Sequence, residues 1–300
     1  MRTVLTTLLV LCLVSAGCGD EKSGGSGVSV VATTTQLGDF ARQVAGGRAG
    51  VDQLLTPNAD PHDYEPRPSY ALELEGADVV LRSGGDLDEW LGELIETSGT
   101  EAEAVQLSRA VRDRGDDPHW WQDPRNAAAA VEAIRDALTE ADPGGRATYE
   151  KNAGAYLSRL AALDVAVARC ISKLPRGDRR LVTTHDALGH YAGRYGLKVI
   201  GAVIPSLSSQ AQTSSRDVGK LVDQIRDQKV RAIFPESSLS SKLERAISRE
   251  SGADVGGALW ADTLGPEGSS GETYVDSIAS NTEQIVKGLS GGEIACRPKT

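Results

Sequence analysis

Histidine is scarce in this chain of 300 residues: there are four. His62 lies in Asp60-Pro61-His62-Asp63-Tyr64-Glu65-Pro66, His119 in Asp117-Pro118-His119-Trp120-Trp121-Gln122-Asp123-Pro124, and His185 in Leu181-Val182-Thr183-Thr184-His185-Asp186. Asp262 closes a similar short segment, Leu259-Trp260-Ala261-Asp262. Three imidazoles and one carboxylate are a tetrahedral zinc shell, although the same donors also suit copper, iron, nickel and cobalt. Asp63, Asp123 and Asp186 stand beside these histidines in sequence, and each is expected to accept a ring N–H and fix its tautomer. Glu236, in Ile233-Phe234-Pro235-Glu236, is expected to position another ligand through a hydrogen bond rather than to ligate. His190 falls about 140° round a helix from His185, which assigns it a structural role. Trp120, Trp121 and Trp260 flank ligand positions and are expected to keep water from the ion, whereas Trp90 follows the spacing of Leu87 and Leu91 and packs.

The elements that must position these groups are legible as short apolar runs. One group comprises residues 28–33, 51–55, 77–82 and 104–107, and a second 180–184, 198–203, 230–234 and 254–259. Strands alternating with helical stretches predict parallel sheets covered by helices. The chain therefore reads as α/β, with two lobes, each holding a roughly four-stranded parallel sheet. His62, His119, His185 and Asp262 all fall just past the carboxyl ends of predicted strands, where open α/β sheets place ligands, two in each lobe.

Between the groups, residues 125–139 read as a helix capped by Asp123 with Pro124 in its first turn. After Asp142-Pro143-Gly144-Gly145 a second helix runs to about Lys173, with Tyr149, Ala153, Tyr156, Leu160, Leu163 and Val167 spaced by three and four. Its length predicts a rigid rod joining the lobes. The expected organisation is a lobe at 28–142, a connecting helix at 143–174 and a lobe at 175–300.

The first residues, MRTVLTTLLVLCLVSAGC, combine an arginine, a short apolar run and small residues before Cys18. The run is too short to span a bilayer and reads as an export signal, 1–17. Val14-Ser15-Ala16-Gly17-Cys18 is similar to a bacterial lipobox, which implies lipidation of Cys18 and a flexible tether at 18–27. Outside the cytoplasm disulfides persist, so Cys170 and Cys296 are expected to be bonded. The net charge of −10 disfavours nucleic acid as a partner.

Together the four ligand loops resemble those of bacterial substrate-binding proteins for zinc and manganese ABC importers. The resemblance rests on residues 60–69, 117–124, 183–196 and 260–265, and extends over essentially the whole mature chain. It implies capture of a divalent ion between the lobes, delivery to a membrane permease, and a monomer tethered outside the cytoplasm by a lipid anchor. In that family a histidine at the third ligand position goes with zinc and glutamate with manganese, so His185 points to zinc, with manganese the alternative. The histidine-rich loop of many zinc members is absent, since residues 111–116 read VRDRGD.

Two other classes compete. A secreted zinc hydrolase would use the three histidines and leave one position for an activated water, but HExxH, GxSxG and phosphate-loop signatures are missing. Some family members have been described as adhesins, yet no residue pattern here encodes an adhesive surface. Metal capture by neutral imidazoles predicts an affinity that falls as pH drops through about 6.5.

Overall fold

A computed structural model describes residues 27–111 and 115–300; the expected signal segment 1–17, Cys18 and the tether up to residue 26 lie outside the described residues. Within Ser29–Ala32 (β1), Val30, Val31 and Ala32 are all buried, as an interior strand covered on both faces requires. It pairs in parallel with Gly50–Gln53 (β2) and Val79–Arg82 (β3), and β3 pairs with Glu103–Gln106 (β4), giving the order β2-β1-β3-β4. The period of two divides its side chains: Val30, Ala32, Val79 and Leu81 enter the main core, while Val31 and Val80 face Leu74, Leu91 and Leu94 on the other side. Thr35–Ala45 (α1) covers the first face, and Tyr70–Glu75 (α2) with Trp90–Ser98 (α3) the second.

Pro124–Ala141 (α4) and Arg146–Ser172 (α5) follow the first sheet. Asp123 caps α4 by accepting the Arg125 N–H, and Pro124 takes the first turn, where its missing N–H has no helical partner to lose. The 27 residues of α5 extend about 40 Å at 1.5 Å per residue. Rather than standing free as a rod, α5 buries Tyr149, Ala153, Tyr156, Leu160, Leu163 and Val167 in the same core as residues of both sheets. Asp39 on α1 accepts the Tyr156 hydroxyl at 3.3 Å and the Tyr274 N–H at 3.0 Å, pinning the helix to both halves.

The second lobe contains Arg180–His185 (β5), Gly189–Tyr195 (α6), Lys198–Ile204 (β6), Ser215–Asp227 (α7), Ala232–Ile233 (β7), Lys242–Ser251 (α8), Asp254–Val255 (β8) and Tyr274–Leu289 (α9). β5 pairs in parallel with β6, and β7 with β8. The Phe234 N–H donates to Val182 at 2.9 Å beside a Thr183–Phe234 bridge, which joins the pairs into β6-β5-β7-β8. The α/β architecture is as the sequence predicts, but the expected strands 230–234 and 254–259 shorten to two residues each. Pro235 has no N–H for a ladder. At Gly256 a Cβ would stand 2.7 Å from the Phe234 ring, so that position serves close packing rather than regular pairing.

Cys170 at the end of α5 and Cys296 beyond α9 form a disulfide, with S–S 2.04 Å and Cα–Cα 5.5 Å. No helix among the described residues is long and apolar enough to cross a membrane.

Candidate metal centre

Three of the four ligand candidates are delivered by short loops whose backbone is held by hydrogen bonds. Asp60 accepts the His62 N–H at 2.9 Å and Asp117 accepts the His119 N–H at 3.0 Å. The repeated Asp-Pro-His segments thus form the same Asx turn, in which the aspartate curls onto the backbone two residues on. His185 ends β5 itself. Asp262 sits on a second-lobe loop held by the first lobe: Ala261 accepts the Trp121 indole N–H at 3.0 Å and the Gln122 amide at 2.7 Å, and the Leu264 N–H donates to Thr35 Oγ1 at 2.8 Å.

These loops bring the four groups together. His119 Nε2 lies 3.3 Å from His62 Nε2 and 3.4 Å from His185 Nε2. Asp262 Oδ2 is 3.3 Å from His62 Nε2 and 3.1 Å from His185 Nε2, and Oδ1 is 3.3 Å from His119 Nε2. One donor atom from each residue falls within 4.8 Å of all the others. The His62 side chain is 5% exposed and the Asp262 side chain is fully buried. Apart from the three imidazoles, neither buried Asp262 oxygen has a hydrogen-bond donor among the described residues. A buried carboxylate without a donor is expensive unless a charge compensates it.

In the absence of another cation, protons fill that role. Burial alone would push the His119 imidazolium down, but the Asp262 and Asp117 carboxylates together override it and raise the group to about 9. His185 follows the same balance, with Asp262 and then Glu236 raising it to about 11. Burial would raise the Asp262 carboxyl, yet the charges of His119 and His185 hold it well below the usual carboxylate range.

The groups behind the rings differ from expectation. Glu236 does face His185, with Oε2 2.9 Å from Nδ1. Its N–H donates to Thr184 Oγ1, which fixes the loop against β5. Asp63, Asp123 and Asp186, by contrast, accept from no histidine ring. Asp63 is exposed, and the Asp186 backbone N–H donates to the Ser206 carbonyl in the loop after β6. Asp123 is spent on capping α4 and on the Arg125 guanidinium at 2.5 Å, since one short carboxylate cannot also reach the cluster. The group that does meet a ring is Asp117, 2.7 Å from His119 Nδ1 and absent from the sequence-based set. Its signal was the repeated Asp-Pro-His, read from the residue two before the histidine rather than those after it.

His190 stays outside the cluster, its Nε2 3.2 Å from the Asp117 carbonyl. Trp121 packs edge-on to His119 with ring centroids 5.5 Å apart, and Trp120 lies behind it. Trp260 instead turns toward Gly265 and Gly271, where a Cβ at Gly271 would come 2.4 Å from its ring. Trp90 packs on Tyr64, centroids 5.0 Å apart.

A family model described as "ZnuA: Zinc-uptake complex component A periplasmic" matches residues 30–288. The manganese-binding lipoprotein MntA of Halalkalibacterium halodurans is 33% identical, over 94% of this chain and 97% of that protein. The iron-binding protein YfeA of Yersinia pestis is also 33% identical, over 87% of this chain and 86% of its own. Among solved structures, the periplasmic zinc-binding protein TroA from Treponema pallidum superimposes with a TM-score of 0.80 at 29% identity, covering 88% of this chain and 99% of that one.

Proposed function

Since the chain belongs to the family of periplasmic zinc-uptake components and is a substrate-binding protein of a metal ABC importer, we propose that its cargo is zinc, held by His62, His119, His185 and Asp262. Members of the family are extracytoplasmic metal carriers that work with a membrane permease, and they are not enzymes. The remaining details of the reading are a lipid anchor at Cys18, a monomer, and lobes flanking a spine that spans 143–174.

One observation carries the choice of residues. Three ring nitrogens lie 3.1–3.3 Å from a buried carboxylate whose charge is balanced by imidazole protons when no metal is held, an arrangement in which a cation can take the protons' place. With Asp262 as fourth donor the shell is closed, which leaves no place for an activated water. Relatives are named for manganese and for iron, and the donor set of this chain distinguishes among the metals. The donor set favours zinc: three imidazoles and one carboxylate suit a tetrahedral ion, while manganese prefers oxygen donors in octahedral geometry. Elemental analysis of the purified protein, followed by competition between zinc and manganese, is expected to show zinc preferred by at least ~100-fold. A manganese preference would overturn the cargo while leaving the importer role.

Capture also exchanges protons for metal. Because Asp262 and Asp117 hold His119 up to about 9, and Asp262 and Glu236 hold His185 up to about 11, both imidazoles carry protons at pH 7.5 in the cation-free protein. Ligation needs their lone pairs, so zinc binding should release about two protons. Affinity then falls as pH drops across the whole range below about 9, rather than only through 6.5 as isolated histidines would predict. The sign for stability is the reverse. A group whose folded value is raised stabilises fully below its unfolded value of about 6.5 and loses that contribution as pH rises through its folded value. The metal-free protein should therefore lose melting temperature between pH 7 and 10. Calorimetric titrations in buffers of different ionisation enthalpy measure the proton release, and fewer than about 0.5 proton per zinc would refute the exchange.

A further inference from the structure

We propose that Asp117 is the positioning residue for His119, and that Gly189 on the opposite lobe determines where Asp117 stands. The inference rests on the metal-centre reading above. One oxygen of Asp117 serves both ends of His119: Oδ1 accepts the backbone N–H at 3.0 Å and lies 2.7 Å from Nδ1. Two contacts from one atom fix the ring's rotation and keep a proton on Nδ1, so that the neutral, metal-binding form of the ring carries its lone pair on Nε2, the nitrogen that faces the cluster. The other oxygen, Oδ2, rests over Gly189, where a Cβ would stand 2.6 Å away, closer than real Cβ contacts permit. The Asp117 carbonyl meets His190 Nε2 at 3.2 Å. Gly189 and His190 open α6, four and five residues after His185. The loop that carries one ligand therefore leans on the first turn of the helix behind another, across the cleft.

Gly189 has no positive φ, so its missing side chain answers a demand for space and not for backbone freedom. Alanine is also the better helix former there, which separates a loss of binding from a loss of folding.

Zinc affinity measured against a chelating dye tests the chain of contacts. Asp117→Ala is expected to weaken zinc by ~10–100-fold, as loss of an outer partner of a metal histidine does. Asp117→Asn should recover much of that loss, because its amide oxygen still accepts the Nδ1 proton. Gly189→Ala should cost ~10-fold in the wild type. In the Asp117→Ala background it should cost nothing further, since the carboxylate it displaces is gone. Wild-type affinity in Asp117→Ala, or an equal cost of Gly189→Ala with and without Asp117, would overturn the proposal. His119→Ala measured alongside separates the two claims. If it loses zinc while Asp117→Ala does not, only this inference fails; if it binds as wild type, the metal centre itself is wrong.

Discussion

Replacing Asp262 by asparagine should abolish useful zinc capture, lowering affinity by more than the ~10–100-fold expected for an outer partner. The substitution keeps volume and shape but changes what faces the three imidazoles. Asp262 presents two buried oxygens to the three imidazoles and to no other donor among the described residues. An asparagine amide would instead donate N–H groups toward ring nitrogens 3.1–3.3 Å away, satisfying their lone pairs and removing the negative charge that a cation needs. The same change removes the first upward influence on His119 and His185, so proton release on binding should also collapse. Zinc titration of Asp262→Asn with both readouts tests this. Retention of affinity within about threefold would mean that the carboxylate is not a ligand.

The second large effect concerns stability. The Cys170–Cys296 bond closes a loop with a sequence separation of 126 residues, which contains β5 through α9 and hence the entire second sheet. It ties the end of the spine helix to the segment that follows the last helix. For a loop of that size the chain-entropy treatment gives about 5 kcal/mol, and measured losses of native bridges range over about 2–5 kcal/mol. A double variant, Cys170→Ser with Cys296→Ser, should melt roughly 10 °C lower than the wild type. Because neither sulfur touches the ligand cluster, the zinc stoichiometry of the folded variant should be unchanged. An unaltered melting temperature would remove the bridge as a support of the second lobe.

The strands show how local information weakens with distance from the core. β1 and β3 are named by apolar runs that are buried on both faces, and they appear within one or two residues of the expected bounds. The run at 230–234 is apolar but ends at Pro235, and that at 254–259 carries Asp254, Gly256 and Gly257 and is cut short by packing at Gly256 that depends on Phe234. The long helix was legible because its apolar spacing repeats over many turns. That it is a buried spine, and not a bare rod, depends on Asp39, Tyr156 and Tyr274 meeting from three separate segments.

The sequence by itself determined the α/β class, the strand-end loops and the identity of the scarce groups able to hold a transition metal, because residue type and local periodicity act within a few positions of the chain. Only the tertiary structure decided which carboxylate meets which ring. An aspartate two residues before a histidine and one after it look alike in sequence, but backbone turns aim Asp117 at His119, a helix end takes Asp123, and solvent takes Asp63. Hydrogen bonding is directional over about 3 Å, so the partner of a side chain is set by the path of the whole chain rather than by its neighbours in sequence.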